Sequence, residues 1–441
     1  MRLTWILLLA APALMGQSLT APLQLSLKRA VEVAVAPEGS AKIQLADEAL
    51  KQAQARAAEA RAALLPDLES SFNYSSQTVN LAGEGLTSAF KFPGFQIPTL
   101  IGPFSVADAR ATAQQSVFDF SAIRRFQASR VGIAASKSDL EASSEQVAAQ
   151  VARAYLGAVK GDTDVETAQA NVTLSQATLT QAENQKAAGT GTGIEITRAK
   201  VQLANDQQRL VSARNARRAA HLQLLRAMGT RLDTDLELTD KLQYVPMDAV
   251  TLETARAQAF KDRPDYQAQQ QKETNARLSA SATTLERLPT LAASANYGSI
   301  GPGLNNAIPT YTYGISVRVP VFDGGRRDAR RVESDSEYRA EKVRTTDLKE
   351  QIELDVRLAL DSLTSAAEEV QVAKDGLELS DSELTQARRR YEGGVANSLE
   401  VTDAQTRLER ARDNQTDALY NYNLARIDLA QAMGKVRSMV Q

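Results

Sequence analysis

The chain has 441 residues, which is enough for two or more ordinary domains. Its net charge is only −2 with 24% charged residues, so the composition does not indicate a polyanionic partner such as nucleic acid. The absence of cysteine excludes disulfides and thiolate chemistry, and the single histidine, His221, argues against a histidine-based metal site. We therefore expect neither a metal nor a cofactor.

Residues 1–16 are predicted to be a secretory signal peptide. Arg2 precedes an apolar run that extends to about Leu14, and small residues such as Gly16 follow. No later segment is apolar over the ~18 residues that a membrane helix needs. If the rest of the chain enters a membrane, it must therefore do so as β-strands.

Each half of the chain begins with a helical segment, predicted over residues 23–65 and 252–288. These segments end at Pro66 and Pro289, because a proline cannot continue the helix that precedes it. Beyond each proline the spacing of apolar residues changes from a period of about 3.6 to a period of about 2, which is typical of β-strands.

A β-hairpin is predicted after Pro289, with strands of about ten residues, the length that a tilted transmembrane strand requires. Its second strand alternates strictly between apolar and polar or small residues. The apolar residues, predicted to face lipid, are Tyr311, Tyr313, Ile315, Val317, Val319 and Val321. The first half has an equivalent hairpin that starts at Leu68 and ends at Phe118, with weaker alternation and a longer loop.

A long helix is predicted after each hairpin, over about residues 122–186 and 326–392. Some 65 helical residues span on the order of 100 Å. Each long helix is predicted to end in a turn, from which a return helix runs back along it. The turns contain Gly189, Gly191 and Gly193 in the first half and Gly393, Gly394 and Val395 in the second.

The two halves repeat one heptad seam with an offset of 205 residues. The seam steps alternately by four and three residues, as in helices that pack in coiled-coil fashion. In the first long helix it consists of Val147, Val151, Ala154, Ala158, Gly161, Val165, Ala168, Val172, Ser175, Leu179 and Ala182. Adding 205 to each number gives the second seam, from Ile352 to Ala387. A period this long indicates tandem duplication of a whole half-domain.

We therefore predict a first repeat over residues 17–229, a linker over 230–248 and a second repeat over 249–441. Four amphipathic strands cannot close a barrel, and open sheet edges are excluded from lipid. The chain must therefore oligomerise if its strands span a membrane. Two chains would supply eight strands and three chains would supply twelve, and the residues do not choose between them.

With this order of elements, the chain resembles the TolC-like outer membrane efflux protein family over almost everything after the signal peptide. The resemblance rests on the Leu-Pro helix ends, on Val-Phe-Asp before each long helix, on Tyr391-Glu392-Gly393-Gly394-Val395 and on Leu399-Glu400-Val401-Thr402-Asp403-Ala404-Gln405. It implies a mainly helical fold with membrane β-strands. Long coiled-coil hairpins would form a periplasmic α-helical barrel, and a homotrimer would close a twelve-stranded outer membrane β-barrel.

The resemblance also implies two functional regions at the ends of the helical hairpins. Glu195, Glu400 and Asp403 would line a periplasmic gate, where rings of carboxylates favour cations. The alternative is a solvated acidic first turn of each return helix, which suits the helix dipole. The glycines of the two turns and Val395 would form a tip that docks an adaptor protein.

Runs of arginine flank these elements and have two interpretations each. Arg124-Arg125, Arg326-Arg327 and Arg330-Arg331 open the long helices, where cations oppose the helix dipole. They either contact lipid phosphates or are solvated. Residues 388–390 precede the second turn and are either a solvated helix face or contacts for the acidic rings or an adaptor.

The resemblance implies an outer membrane channel of a tripartite efflux system that carries small molecules from an adaptor and an inner-membrane transporter to the exterior. An alternative within the same class is a channel for type I protein secretion. A periplasmic coiled-coil adaptor or scaffold is the alternative from another class, but it would not need the alternation between Tyr311 and Val321. No catalytic constellation stands out, so we expect no enzymatic activity.

Overall fold

The computed structural model describes residues 23–83, 98–248 and 250–440. The predicted signal peptide lies outside these residues. In chain order the elements are β1 (Leu23–Leu25), α1 (Leu27–Val35), α2 (Ala41–Ala62), β2 (Asp67–Asn80), β3 (Leu100–Phe118), α3 (Phe120–Ala187), α4 (Gly193–Met228), β4 (Leu236–Leu238), α5 (Leu252–Asp262), α6 (Pro264–Leu285), β5 (Thr290–Gly301), a 3-10 turn (Leu304–Asn306), β6 (Ile308–Arg318), α7 (Arg326–Glu392), α8 (Ser398–Ala432) and α9 (Val436–Val440).

The prediction of one continuous helix at the start of each half was wrong. In the first half, β1 comes first, and the loop that contains Pro37 and Gly39 separates α1 from α2. Ser40 starts α2 by accepting a hydrogen bond from the backbone of Lys42. In the second half, Pro264 is the first residue of α6, a position where its missing N–H costs nothing, and α5 ends just before it.

The long helices and their return helices confirm the predicted hairpins. Helix α7 has the predicted bounds, and α3 exceeds its predicted bounds by only a few residues. Asp119 caps α3, because its carboxylate accepts hydrogen bonds from the backbone of Ser121 and Ala122. Helices α3 and α4 pack along one another, and so do α7 and α8.

One antiparallel sheet holds the two predicted strand hairpins, in the order β2-β3-β5-β6. Strand β6 ends at Arg318, so Val319 and Val321 lie outside it and their predicted place in the strand was wrong. Pro320 explains the early end, because it has no N–H for a sheet hydrogen bond. The corresponding residue of the first half is Ser116, where β3 continues to Phe118.

A belt of tertiary structure surrounds the middle of α3. Short strands β1 and β4 pair in parallel, so the linker between the halves is bound to the start of the first half. The fully buried Tyr155 places its hydroxyl 2.9 Å from the Leu25 carbonyl and 2.9 Å from the Asp240 carboxylate. Tyr155 packs among Val151, Leu224 and Ile427, which joins α3, α4 and α8 in one core.

Candidate functional site

The sheet has one apolar and one polar face, and the register shows which residues share each. Ala293 pairs with Ile315 and Ala295 pairs with Tyr313, so their side chains lie on the same face. Tyr313 is 78% exposed and Ile315 is 75% exposed. The apolar face comprises Leu68, Phe72, Tyr74, Ala109, Ala111, Ala113, Ala293, Ala295, Tyr297, Tyr311, Tyr313, Ile315 and Val317.

Every charged residue in the four strands of this sheet lies on the opposite face. These residues are Asp67, Glu69, Asp108, Arg110 and Arg318. An uncharged face of large exposed apolar side chains backed by a polar, charged face is the pattern of a strand between lipid and water.

Strands β2 and β6 are the edges of this sheet, and each has a single neighbour in the described part of the chain. Half of the backbone hydrogen-bonding groups of an edge strand point away from the sheet. A membrane offers these groups no water, so the sheet requires further strands on both sides if it spans lipid.

The two helical hairpins end in turns of similar construction. Gly189 and Gly394, at equivalent positions of the repeats, both adopt left-handed backbone conformations, with φ of 74° and 71°. Gly191 and Gly193 complete the first turn, and Gly393 and the exposed Val395 lie at the second. The predicted docking residues are therefore together at the ends of the two hairpins.

The three predicted gate residues differ in their surroundings. Glu400 forms an ion pair with Arg390 across the turn, with 3.0 Å between Oε1 and Nε. Glu195 accepts a hydrogen bond of 2.8 Å from the backbone of Thr192 and so caps its own helix. Asp403 is exposed one turn beyond Glu400. Arg390 thus contacts one of the predicted gate residues within its own chain.

A small apolar core lies just above the second turn. Tyr391 is buried beside Leu384, Val401 and Leu408, and Leu174 of the other hairpin packs against this group. The Tyr391 hydroxyl is buried without a hydrogen-bond partner. Burial raises the pKa of Tyr391, and the nearby carboxylate of Glu195 raises it further. This core joins the two hairpin ends of one chain.

A buried polar network further up the hairpins was missed by the sequence analysis. Asp206 of α4 and Glu409 of α8 are only 1% and 2% exposed. The amide of Gln202 donates to both carboxylates, at 3.2 Å each, and Arg209 donates to Glu409 at 2.6 Å. Burial raises the pKa of Glu409 and the Asp206 carboxylate raises it further, against the opposing effect of Arg209.

Three of the six arginines that open the long helices pair with acids of the same chain. Arg125 and Arg330 both contact the carboxylate of Glu286, and Arg327 pairs with Asp323 at 3.1 Å. These contacts link α3 and α7 to the end of α6.

His221 lies beside an acid of α3. Its Nε2 lies 3.0 Å from a carboxylate oxygen of Asp162, which also binds Arg217. Burial opposes ionisation of Asp162, but the hydrogen bonds from His221 and Arg217 prevail and the net effect lowers its pKa. In residues 23–83, 98–248 and 250–440, no three metal-ligating side chains converge.

Helices that could cross a membrane are absent from the same residues, since none is both long and apolar enough. The fold thus consists of two repeats, each with a long helical hairpin and a β-hairpin, and the two β-hairpins form one amphipathic sheet. Residues 35–230 and 255–435 match the family described as outer membrane efflux protein. The chain belongs to that family, and its location is the outer membrane.

Two relatives from Pseudomonas illustrate the range of the family. The chain is 25% identical to the alkaline protease secretion protein AprF of Pseudomonas aeruginosa, over 82% of this chain and 75% of that protein. It is 24% identical to the pyoverdine export outer membrane protein OpmQ of Pseudomonas putida, over 87% of this chain and 81% of that protein.

Solved structures show the same fold at low sequence identity. The outer membrane channel CmeC of Campylobacter jejuni superposes with a TM-score of 0.81 at 15% identity, covering 92% of this chain and 85% of CmeC. The outer membrane protein VceC of Vibrio cholerae has a TM-score of 0.79 at 18% identity, covering 93% of this chain and 96% of VceC. The predicted TolC-like fold is confirmed.

Proposed function

We propose that this protein is the passive exit channel of a tripartite efflux system and carries small molecules across the outer membrane. The observation that carries the proposal is the sheet, whose charged residues all lie on one face while large apolar side chains are exposed on the other. In a closed ring of such sheets, the apolar face contacts lipid and the polar face lines a water-filled passage.

Internal repetition supports a closed ring of identical chains. Within one chain, α3 of the first repeat packs against α8 of the second. The equivalents of these helices are α7 and α4, and these two do not pack extensively against each other in the described part of one chain. Placing α4 of the next copy against α7 would reproduce the same packing between chains, and repeating this contact forms a ring when the rotation between copies closes.

Individual contacts show which residues would meet across this interface. Leu174 packs against the small core of the second hairpin, but its equivalent Leu379 is 72% exposed. Gln405 donates to Thr178 over 2.6 Å within the chain. In the other repeat, the residue equivalent to Gln405 is Lys200 and the residue equivalent to Thr178 is Glu383, and these two have opposite charges. An ion pair between neighbouring chains is therefore expected at the equivalent position.

Three chains fit the proposal better than two. Three sheets of four strands give the twelve-stranded barrel that the resemblance implies, and a barrel of twelve strands is wide enough to leave a passage along its axis. The helical hairpins would then form a periplasmic tunnel below the membrane.

The ends of the hairpins are the proposed contact for the other components. The tip formed by residues 189–193 and 393–395 docks a periplasmic adaptor, which connects the channel to an inner-membrane transporter. Glu400 and Asp403 act at the narrow end of the tunnel as a gate that attracts cations.

Cross-linking tests the ring directly, because the chain contains no cysteine. We expect the variant Lys200→Cys/Glu383→Cys, treated with a short bifunctional maleimide in membranes, to give a covalent species of three chains on denaturing gels. Single-cysteine variants are the controls and should remain monomers on the gel. A ladder that stops at two chains would contradict the trimer, and no cross-link at all would contradict the interface.

Protein secretion is the second candidate function, because AprF is named as a protease secretion protein. Export assays separate the two. Small-molecule efflux predicts that cells deleted for this gene retain a fluorescent dye or an organic solvent while their secreted proteins are unchanged. Loss of a secreted protein with unchanged dye efflux would favour the second candidate.

A further inference from the structure

Asp108 and Arg110 of β3 form a charge pair on the polar face of the sheet. A guanidinium nitrogen of Arg110 lies 3.3 Å from the Asp108 carboxylate. The same guanidinium donates to Asn296 on β5 over 2.7 Å and to Thr310 on β6 over 3.3 Å. Arg110 therefore extends across β5 and contacts three strands.

Gly298 makes this arrangement possible. It pairs with Arg110 on β3 and with Thr310 on β6, so the three residues form one row across the sheet. A Cβ atom at position 298 would lie 2.8 Å from the Cα of Arg110 and 2.4 Å from the carbonyl oxygen of Ala109. Because Gly298 has no side chain, the Arg110 guanidinium can pass over β5 at this position and reach Thr310 on β6.

No other charged residue occupies the same part of the described sheet. Asp67 and Glu69 begin β2, and Arg318 ends β6, so these three lie near the helices. Asp108 and Arg110 are eight to ten residues from the end of β3 at Phe118, a distance of about 30 Å along a strand. The outer part of the polar face thus carries one acid and one base per chain in the described strands.

We propose that the Asp108–Arg110 pair sets the charge selectivity of the outer part of the passage. The inference rests on the proposed function, because the pair faces water and its symmetry mates only in the closed ring. Three copies place three carboxylates and three guanidiniums around one level of the passage. Their charges cancel, so ions of either sign pass this level, and removing one partner exposes a ring of the other.

Conductance in planar bilayers under a KCl gradient tests the pair. Arg110→Gln leaves three unpaired carboxylates, so the reversal potential should move toward that of a cation-selective channel. Asp108→Asn leaves three guanidiniums and should move it toward anion selectivity. The double variant should return close to the wild-type value, and Arg110→Lys should differ little from wild type.

A neutral solute provides the matched control. Uptake of an uncharged sugar into liposomes should be the same for wild type, Arg110→Gln and Asp108→Asn, because only charged solutes sense the pair. Wild-type reversal potentials in both single variants would overturn the inference and leave the pair a structural staple between strands. If wild-type protein forms no conducting ring at all, the proposed function fails instead. If Arg110→Gln does not assemble, Asp108→Asn alone decides, because a wild-type reversal potential in that variant overturns the inference.

Discussion

Removing Arg209 should loosen the junction between the two helical hairpins of one chain. Among the residues that the structure describes, Arg209 is the one charged donor to Glu409, which is almost fully buried beside the carboxylate of Asp206. In the variant Arg209→Ala, Glu409 keeps only the hydrogen bond from the Gln202 amide. A buried carboxylate without its counter-charge is the costly outcome of breaking a buried ion pair.

The stability lost in Arg209→Ala depends on how deeply the side chains of Arg209 and Glu409 are buried. Loss of one partner of a fully buried pair costs about 3–5 kcal/mol. The Arg209 side chain is 58% exposed and the Gln202 amide remains, so we expect a smaller cost of about 2 kcal/mol. Glu409→Gln should cost about 0.5 kcal/mol or less, because it removes the buried charge together with its repulsion from Asp206.

The destabilisation in Arg209→Ala should increase with pH. The pKa of Glu409 is raised in the folded chain, so the stability that its protonated form contributes is present at low pH and is lost as pH rises through the raised pKa. The destabilisation in Arg209→Ala should therefore be larger at pH 8, where Glu409 is ionised, than at pH 5. In Glu409→Gln this pH dependence should disappear.

Hydrogen exchange read by mass spectrometry measures the local opening, on peptides that cover residues 202–209 and 405–412. At pH 8 the Arg209→Ala variant should exchange about 30-fold faster there, which corresponds to ~2 kcal/mol. Lys272→Ala, which breaks a half-exposed ion pair with Asp139, is the control and should change exchange little. Equal effects of Arg209→Ala and Glu409→Gln at both pH values would refute the reasoning.

Three further outcomes test other parts of the structure. Val317→Arg should block membrane assembly, because a lipid-facing arginine costs about 2–4 kcal/mol at mid-bilayer. Ser316→Arg, on the polar face, should assemble. Equal amounts of the two variants in the outer membrane would contradict the assignment of an apolar and a polar face. Alanine at both Glu400 and Asp403 should leave the proposed trimer assembled but lower cation selectivity and block by multivalent cations in planar bilayers. Unchanged block would mean that these acids are merely solvated. Gly229→Ala should lower the melting temperature of the helical signal, at a cost of about 2 kcal/mol, because φ is 73° there and a Cβ would lie 2.8 Å from a backbone oxygen.

The sequence predicted the elements whose signals are local and repeated. Helix α7 was predicted with its observed bounds because its heptad seam is unbroken from Ile352 to Ala387 and a glycine turn follows. The sheet was predicted from the alternation of apolar and polar residues. Its end at Arg318 was not predicted, because the alternation continues through Pro320, although a proline has no N–H to donate to a neighbouring strand.

Other features depend on contacts between distant residues and leave little local signal. The pairing of Leu23–Leu25 with Leu236–Leu238 joins segments more than 200 residues apart, and three-residue strands have no periodicity to detect. Asp206 and Glu409 occur among many charged residues of ordinary helix faces, so their burial appears only when α3, α4 and α8 are assembled. The resemblance singled out Glu195, Glu400 and Asp403 as predicted gate residues, but it did not reveal the partner of Glu400 or the capping role of Glu195, because both depend on the conformation of the turns.

The belt around Tyr155 has a mechanical consequence. Because β1 and β4 bind the linker to the start of the chain, the belt holds α3, α4 and α8 in one core. The end of α3 at Ala187 lies about 50 Å from Tyr155 at ~1.5 Å per residue, so the first hairpin is a long lever with its pivot at the belt. A tilt of about 5° at that pivot moves the tip by about 4 Å. In the proposed ring of copies, such a tilt would change the spacing between the hairpin tips.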